Sequence, residues 1–281
     1  MIKLALSDVD GTLVPFGHQH VSARTLEAIR TLQNAGVHFG LATGRDEPDL
    51  IRQFCGQSWP FDTGILSNGK KIMVDGTIAC LTLLDNDAVA RVASLTLEYP
   101  DSFVSVYPQN AVPSDRVYCI GATREQMAPW LTSVGANAVI VDRVPDVQIL
   151  GATIACNHSQ RMMEELIARA VQECPELDFA QPFPQWCDVL PKGLNKGSAL
   201  SILLEALGMT GDEAVFFGDA ENDLALLGSI ENSVAVANAT PAAAAAARWH
   251  IGACEDDAVA LALEQIAQAA QGGFVPAFMR P

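Results

Sequence analysis

Two short apolar runs bracketing one amphipathic stretch constrain this chain more than any other feature. Residues 2–7 are apolar around Lys3 and stop at Asp8, and residues 37–42 form a second run that stops at Thr43. Between them, residues 22–35 place Leu26, Ile29 and Leu32 at helical spacing. Ser22 stands where an N-cap belongs, and Gly36 where a left-handed residue ends a helix. Strand, helix and strand of this kind form the crossover unit of a parallel sheet. Strands apolar along their whole length belong in a sheet covered on both faces.

The same pattern returns near the other end. It predicts a helix over 196–207 closed by Gly208, a strand over 214–217, a helix over 221–227, a strand over 234–236, and an alanine-rich helix opened by Pro241. The stretch between differs in kind. Residues 84–191 carry nine of the fifteen prolines, with short strand patterns at 103–107, 117–120 and 153–156 and helical patterns at 87–97 and 161–171. Residues 70–81, with an Asp75-Gly76 turn, predict a hairpin on the way in. The expected organisation is an α/β core with a parallel sheet, built from residues 1–83 and 192–281, and an α+β domain inserted at 84–191.

Charge narrows the partners. The 281 residues include 33 acidic and 17 basic side chains, a formal charge of −16, which repels nucleic-acid backbones and anionic membrane surfaces. Neither is expected as a partner. The seven cysteines are odd in number and widely spaced, so they suggest neither a disulfide framework nor a thiolate metal site. Five apolar residues before Asp8 are too few for a signal segment, and the expected location is cytoplasmic. The tryptophans at 59, 130, 186 and 249 are too scattered for a stacking surface and predict packing roles.

The chemistry gathers where strands end. Asp8-Val9-Asp10-Gly11-Thr12 follows the first strand, and open α/β sheets bind ligands at that carboxyl edge. Alternation along an extended chain points Asp8 and Asp10 the same way, and two like charges need a cation. An isolated Asp-x-Asp-Gly is as readily a solvated turn. A second cluster breaks the tie: Gly218-Asp219-Ala220-Glu221-Asn222-Asp223 follows another apolar strand. Hard oxygen ligands from two strand tips, without histidine or cysteine nearby, suit Mg²⁺. Glu221 is accounted for as favourable charge in a helix's first turn. Thr43-Gly44-Arg45 brings a hydroxyl and backbone amides to the same edge, and Lys196, opening a helix, brings a cation. Together these describe a nucleophile, a metal, a hydroxyl and a lysine around one phosphoryl group.

Asp8-Val9-Asp10-Gly11-Thr12, Thr43, Lys196 and Gly218-Asp219 through Asn222-Asp223 resemble the four motifs of the haloacid dehalogenase superfamily. Ser67-Asn68-Gly69, Val234 through Ala239 and the late insert resemble its Cof-type (type IIB) branch. Leu226 and Val236 depart from the branch, which commonly has Met there. The resemblance implies a Rossmann-like core with an α/β cap and a Mg²⁺-dependent phosphatase of small phosphorylated metabolites, sugar phosphates or related monoesters. It implies Asp8 as nucleophile, Asp10 as general acid and base, and metal held by Asp8, the Asp10 carbonyl and Asp219. Phosphate oxygens would meet Thr43, the Val9 and Gly44 backbones, Lys196 and Asn222, with Asp223 behind the metal or Lys196. Arg45 and Asn68 are assigned to the leaving group.

Two other functions share parts of this pattern. A phosphomutase of the same superfamily uses the same core, and the motifs do not separate the two. A phospho-receiver signalling module also forms an aspartyl-phosphate at strand ends, but the ~100-residue insert exceeds ordinary loops and counts against it.

Overall fold

The computed structural model describes residues 1–110, 116–128 and 137–280. Trp130 lies outside the described residues. The chain divides into two compact units, Met1–Leu81 with Asn195–Pro281, and Thr82–Leu194.

The first unit is built on an eight-stranded sheet. Its strands are β1 (Leu4–Ser7), β2 (His38–Ala42), β3 (Gly64–Leu66), β4 (Lys71–Val74), β5 (Thr77–Leu81), β12 (Ala214–Gly218), β13 (Asn232–Ala235) and β14 (Trp249–His250). Their order is β14-β13-β12-β1-β2-β3-β4-β5. The pairings from β14 to β3 are parallel, whereas β3–β4 and β4–β5 are antiparallel. The predicted Asp75-Gly76 hairpin therefore completes the core sheet rather than merely leading out of it. Asp75 and Gly76 both have positive φ, +48° and +74°, as a tight hairpin turn requires.

Strand alternation explains the two covered faces. Ala5, Val215 and Phe217 face one side, against Ile29 and Leu32 of the helix Ala23–Asn34 and Leu263 and Ile266 of the helix Ala258–Gly272. Leu4, Leu6 and Phe216 face the other, against Leu200 and Leu203 of the helix Lys196–Leu207. All of these side chains are buried, and each except Ala5 is worth about 1.5–3 kcal/mol relative to exposure. The helix Ala23–Asn34 has the predicted punctuation: the Ser22 hydroxyl accepts from the Thr25 amide, and Gly36 has φ +78°. Gly208 closes the helix Lys196–Leu207 in the left-handed conformation.

The helix expected over 221–227 is different. Glu221–Asp223 is a 3-10 turn, followed by the single helical turn Leu224–Leu227. The Asp223 carboxylate accepts from the Asp219 and Ala220 amides at 3.0 and 3.3 Å, and these bonds wind the segment tightly.

The second unit holds a six-stranded sheet of β6 (Ser102–Pro108), β7 (Arg116–Ile120), β8 (Asn137–Val141), β9 (Ile149–Cys156), β10 (Leu177–Phe183) and β11 (Trp186–Pro191), in the order β10-β11-β9-β6-β7-β8. The helices Asn86–Thr96 and Gln160–Glu173 bury Val89, Val92, Met163 and Leu166 against Val104, Ile154 and Val189. Asp85 and Ser159 cap them, accepting from the Ala88 and Met162 amides. No helix among the described residues is long and apolar enough to cross a membrane.

Candidate active site

Parallel strands deliver their carboxyl ends to one edge, and the acidic residues follow directly from that register. Ser7 pairs with Phe217, and the Asp8 amide donates to the Phe217 carbonyl at 2.8 Å, so Asp8 and Asp219 emerge from neighbouring strands. Carboxylate oxygens of Asp8, Asp219 and Asp223 lie within 4.8 Å of one another, and all three residues are buried.

Lys196 sits among them. Asn195 caps its helix through reciprocal bonds with Ser198, which puts Lys196 in the first turn, beside the positive end of the helix. Its Nζ donates to Asp8 Oδ1 and to Asp223 Oδ1, each at 2.7 Å, and its side chain is 1% exposed. Burial opposes the lysine charge, but Asp223 and Asp8 outweigh it and raise the pKa above the ordinary lysine value. Burial also lifts the Asp8 carboxyl well above the usual carboxylate range, against the pull of Lys196. Asp219, crowded by Asp223, is pushed up to about 6, chiefly by burial.

Three buried carboxylates share one ammonium, so the cluster lacks positive charge. Asp223 Oδ1 is taken by Lys196 and Oδ2 by backbone amides, which makes it a fixed support. Asp219 Oδ1 accepts from the Thr12 hydroxyl at 2.8 Å, while its Oδ2 faces the bare Cα of Gly11, where φ is +81°. Asp8 Oδ2 and Asp219 Oδ2 thus carry no protein hydrogen bond among the described residues. Hard oxygen donors in surplus over local cations suit Mg²⁺, so the residues fit that ion.

The remaining predicted residues divide. Thr43 is buried at the tip of β2, and its hydroxyl accepts from the Arg45 amide at 3.2 Å. Gly44 is exposed beside it, and its missing Cβ leaves room for the Asn68 side chain. Ser67 and Asn68 both have positive φ at the tip of β3, and the Asn68 amide donates to the Thr43 carbonyl at 3.0 Å. Val9 is buried, and its carbonyl accepts from the Leu13 and Val14 amides. Asn222 is exposed on the 3-10 turn.

Asp10 is held apart from the other acids. Arg45 Nε and Nη2 grip its two oxygens at 2.6 and 2.8 Å, and Gln53 Nε2 approaches Oδ1 at 3.4 Å. The Asp10 carboxylate outweighs the burial of Arg45 and raises its pKa above the ordinary arginine value. The Nε–Nη2 edge of Arg45 is thus engaged by Asp10, while Nη1 stands 3.9 Å from Asp49 Oδ2; sequence reasoning assigns this side chain to the leaving group.

Sequence reasoning missed three supporting residues: Thr12 as the donor to Asp219, Gln53 beside Asp10, and Asn238. Asn238 Nδ2 donates to the Gly11 carbonyl at 2.7 Å, and its Oδ1 accepts from the Cys254 amide at 2.8 Å. Thr12 lies inside the first motif and offered a signal. Gln53 offered none, because its place depends on how the helix Glu47–Gln53 packs.

The family description haloacid dehalogenase-like hydrolase matches residues 5–263. The chain belongs to this family. It is 28% identical over 265 residues to an HMP-PP phosphatase of Enterobacter sp. (strain 638), covering 92% of this chain and 93% of that protein. It is likewise 28% identical over 260 residues to an HMP-PP phosphatase of Yersinia pseudotuberculosis, with 86% of each covered. A haloacid dehalogenase-like hydrolase from Bacteroides thetaiotaomicron has the same fold, with TM-score 0.80 at 20% identity over 95% of this chain and 100% of that one. So does the subclass IIB sugar phosphatase BT4131, with TM-score 0.76 at 18% identity over 93% and 98%. As a member of the family the chain is a hydrolase.

Proposed function

We propose that this hydrolase is a Mg²⁺-dependent phosphatase of small phosphorylated metabolites, working through an aspartyl-phosphate on Asp8. The observation that carries it is the buried Asp8–Lys196–Asp223 chain beside Asp219 at adjacent strand tips. The names of the two HMP-PP phosphatase relatives support hydrolysis over phosphoryl transfer within a sugar.

The Asp8 carboxylate, oriented by the Lys196 bond to its Oδ1, attacks phosphorus in line. A phosphoryl transition state gains chiefly from placement and charge, so the third Lys196 proton, the Thr43 hydroxyl, the Val9 and Gly44 amides and Asn222 serve as phosphate donors. Asp8, Asp219 and the Asp10 carbonyl would hold Mg²⁺, which would supply the charge that lets a carboxylate approach a phosphate dianion. Asp10 protonates the departing alkoxide and then takes a proton from the water that cleaves the acyl-phosphate, with Arg45 and Gln53 setting its orientation. Asn68 contributes to leaving-group binding. The inserted unit serves as the specificity domain.

Phosphate release from p-nitrophenyl phosphate tests this directly. Turnover is expected with Mg²⁺, lost in EDTA, and abolished by Asp8→Asn. With ¹⁸O-labelled water, label should appear in the released phosphate. Full activity of Asp8→Asn would remove Asp8 from its role, and sugar-phosphate isomerisation without release would favour the mutase.

A further inference from the structure

The loop after the first motif ends in a large aromatic side chain that the chemistry above does not use. Phe16 is 68% exposed, in a chain where most phenylalanines are interior. A single exposed apolar residue is ordinary. Two observations set this one apart.

The first is its seat. The Leu13 and Val14 amides donate to the Val9 carbonyl at 2.9 and 2.8 Å, and the Gly11 amide donates to the Val14 carbonyl at 2.8 Å. Leu13 and Val14 are 3% and 2% exposed, so the loop is anchored in the core on both sides of its turn. Asn238 clamps the Gly11 carbonyl from a different segment. Pro15 then fixes φ one residue before Phe16. The ring is presented from a rigid base.

The second is its neighbour. A Cβ placed on Gly11 would collide with both Asp219 Oδ2 and the Phe16 ring, whose Cε2 would stand only 2.8 Å away. The carboxylate assigned to the metal and the aromatic ring therefore flank one bare Cα. An apolar plane at the rim of a charged site offers nothing to a phosphoryl group, but it offers a stacking surface to whatever the phosphate is attached to.

We propose that Phe16 is a specificity-determining residue that favours phosphate esters with a planar aromatic or heteroaromatic leaving group. This rests on the phosphatase reading and sharpens its substrate class. Planar rings gain by stacking on Phe16, whereas a polyol gains little. Selectivity then comes partly from the catalytic unit itself.

The test compares kcat/KM for phenyl phosphate and p-nitrophenyl phosphate with that for glycerol 3-phosphate and glucose 6-phosphate, in wild type, Phe16→Ala, Phe16→Leu and Phe16→Trp. The aryl-to-alkyl ratio should fall about tenfold in Phe16→Ala, as loss of one stacking contact predicts. Phe16→Trp should restore the ratio and Phe16→Leu should not. If wild type hydrolyses both classes and the ratio in Phe16→Ala is unchanged, this inference falls alone. Rescue by leucine as complete as by tryptophan would also sink it, since bulk rather than a plane would then suffice. Wild-type protein that hydrolyses neither class overturns the phosphatase reading and this inference with it.

Discussion

Removing the charge of Lys196 should destabilise the protein far more than removing the charge of Asp8, although both changes abolish catalysis. Lys196 Nζ contacts Asp8 and Asp223 at 2.7 Å each, and the three side chains are 1%, 7% and 0% exposed. Lys196→Met keeps most of the apolar stem, so little cavity opens, but two buried carboxylates lose the cation between them. Breaking a buried pair from one side costs about 3–5 kcal/mol. Asp8→Asn instead removes a negative charge whose ionisation is opposed first by burial, and the amide oxygen still accepts from Lys196. Its loss should stay within about 1 kcal/mol, and a small gain is consistent with the same physics. Urea unfolding at neutral pH in EDTA, followed by far-ultraviolet circular dichroism, reads both differences. If Lys196→Met stays within about 1 kcal/mol of wild type, or Asp8→Asn falls as far as Lys196→Met, the electrostatic account of the site is wrong.

Three further outcomes follow. Gly11→Ala places a side chain at φ +81° against Asp219 and Phe16, so it should cost about 1–3 kcal/mol and weaken Mg²⁺ binding; wild-type affinity by calorimetry would contradict this. Asp219 titrates near 6 in the metal-free fold, above its unfolded value of about 3.9. Its contribution is full below the unfolded value and is lost as pH rises towards 6, so stability in EDTA should fall across that window. Mg²⁺ should raise the melting temperature more at pH 7 than at pH 5; an equal rise at both would refute the linkage. Of the seven cysteines, Cys55 is exposed and Cys80 partly so, while the other five are buried. Burial pushes Cys187 and Cys254 up to about 12. A thiol reagent should therefore modify two sites in the native protein and seven after denaturation, and reaction of five or more native thiols would contradict the packing described.

Local signals carried much of the fold. Ser22, Gly36 and Gly208 punctuate helices because caps and left-handed turns act within a few residues. The apolar runs of β1, β2 and β12 read as buried strands because parallel strands hide both faces. The helix Ala258–Gly272 escaped notice because alanine fills so many of its positions that no apolar stripe stands out, although Val259, Leu263 and Ile266 do face the core. The strands β10 and β11 mix polar and apolar residues and depend on their partners. At the site, which residues reach the sheet edge followed from strand ends. What each touches there did not: the pairing of the Arg45 Nε–Nη2 edge with Asp10 is an outcome of packing between segments far apart in the chain, and the hold of the Asp219 and Ala220 amides on Asp223 Oδ2 comes from a local turn that apolar spacing does not signal.

The margins of the core sheet have a consequence for how the protein behaves when crowded or partly unfolded. At one side the sheet finishes in the two-residue β14, which leaves few open amides for a foreign strand to zip onto. At the other, the β4–β5 hairpin screens the long parallel β-stack and presents its own outer strand, with Ile78 44% exposed. Within the core sheet, among the described residues, strand addition therefore has one practicable point of entry. A single lysine at position 78 would close it without touching a catalytic group.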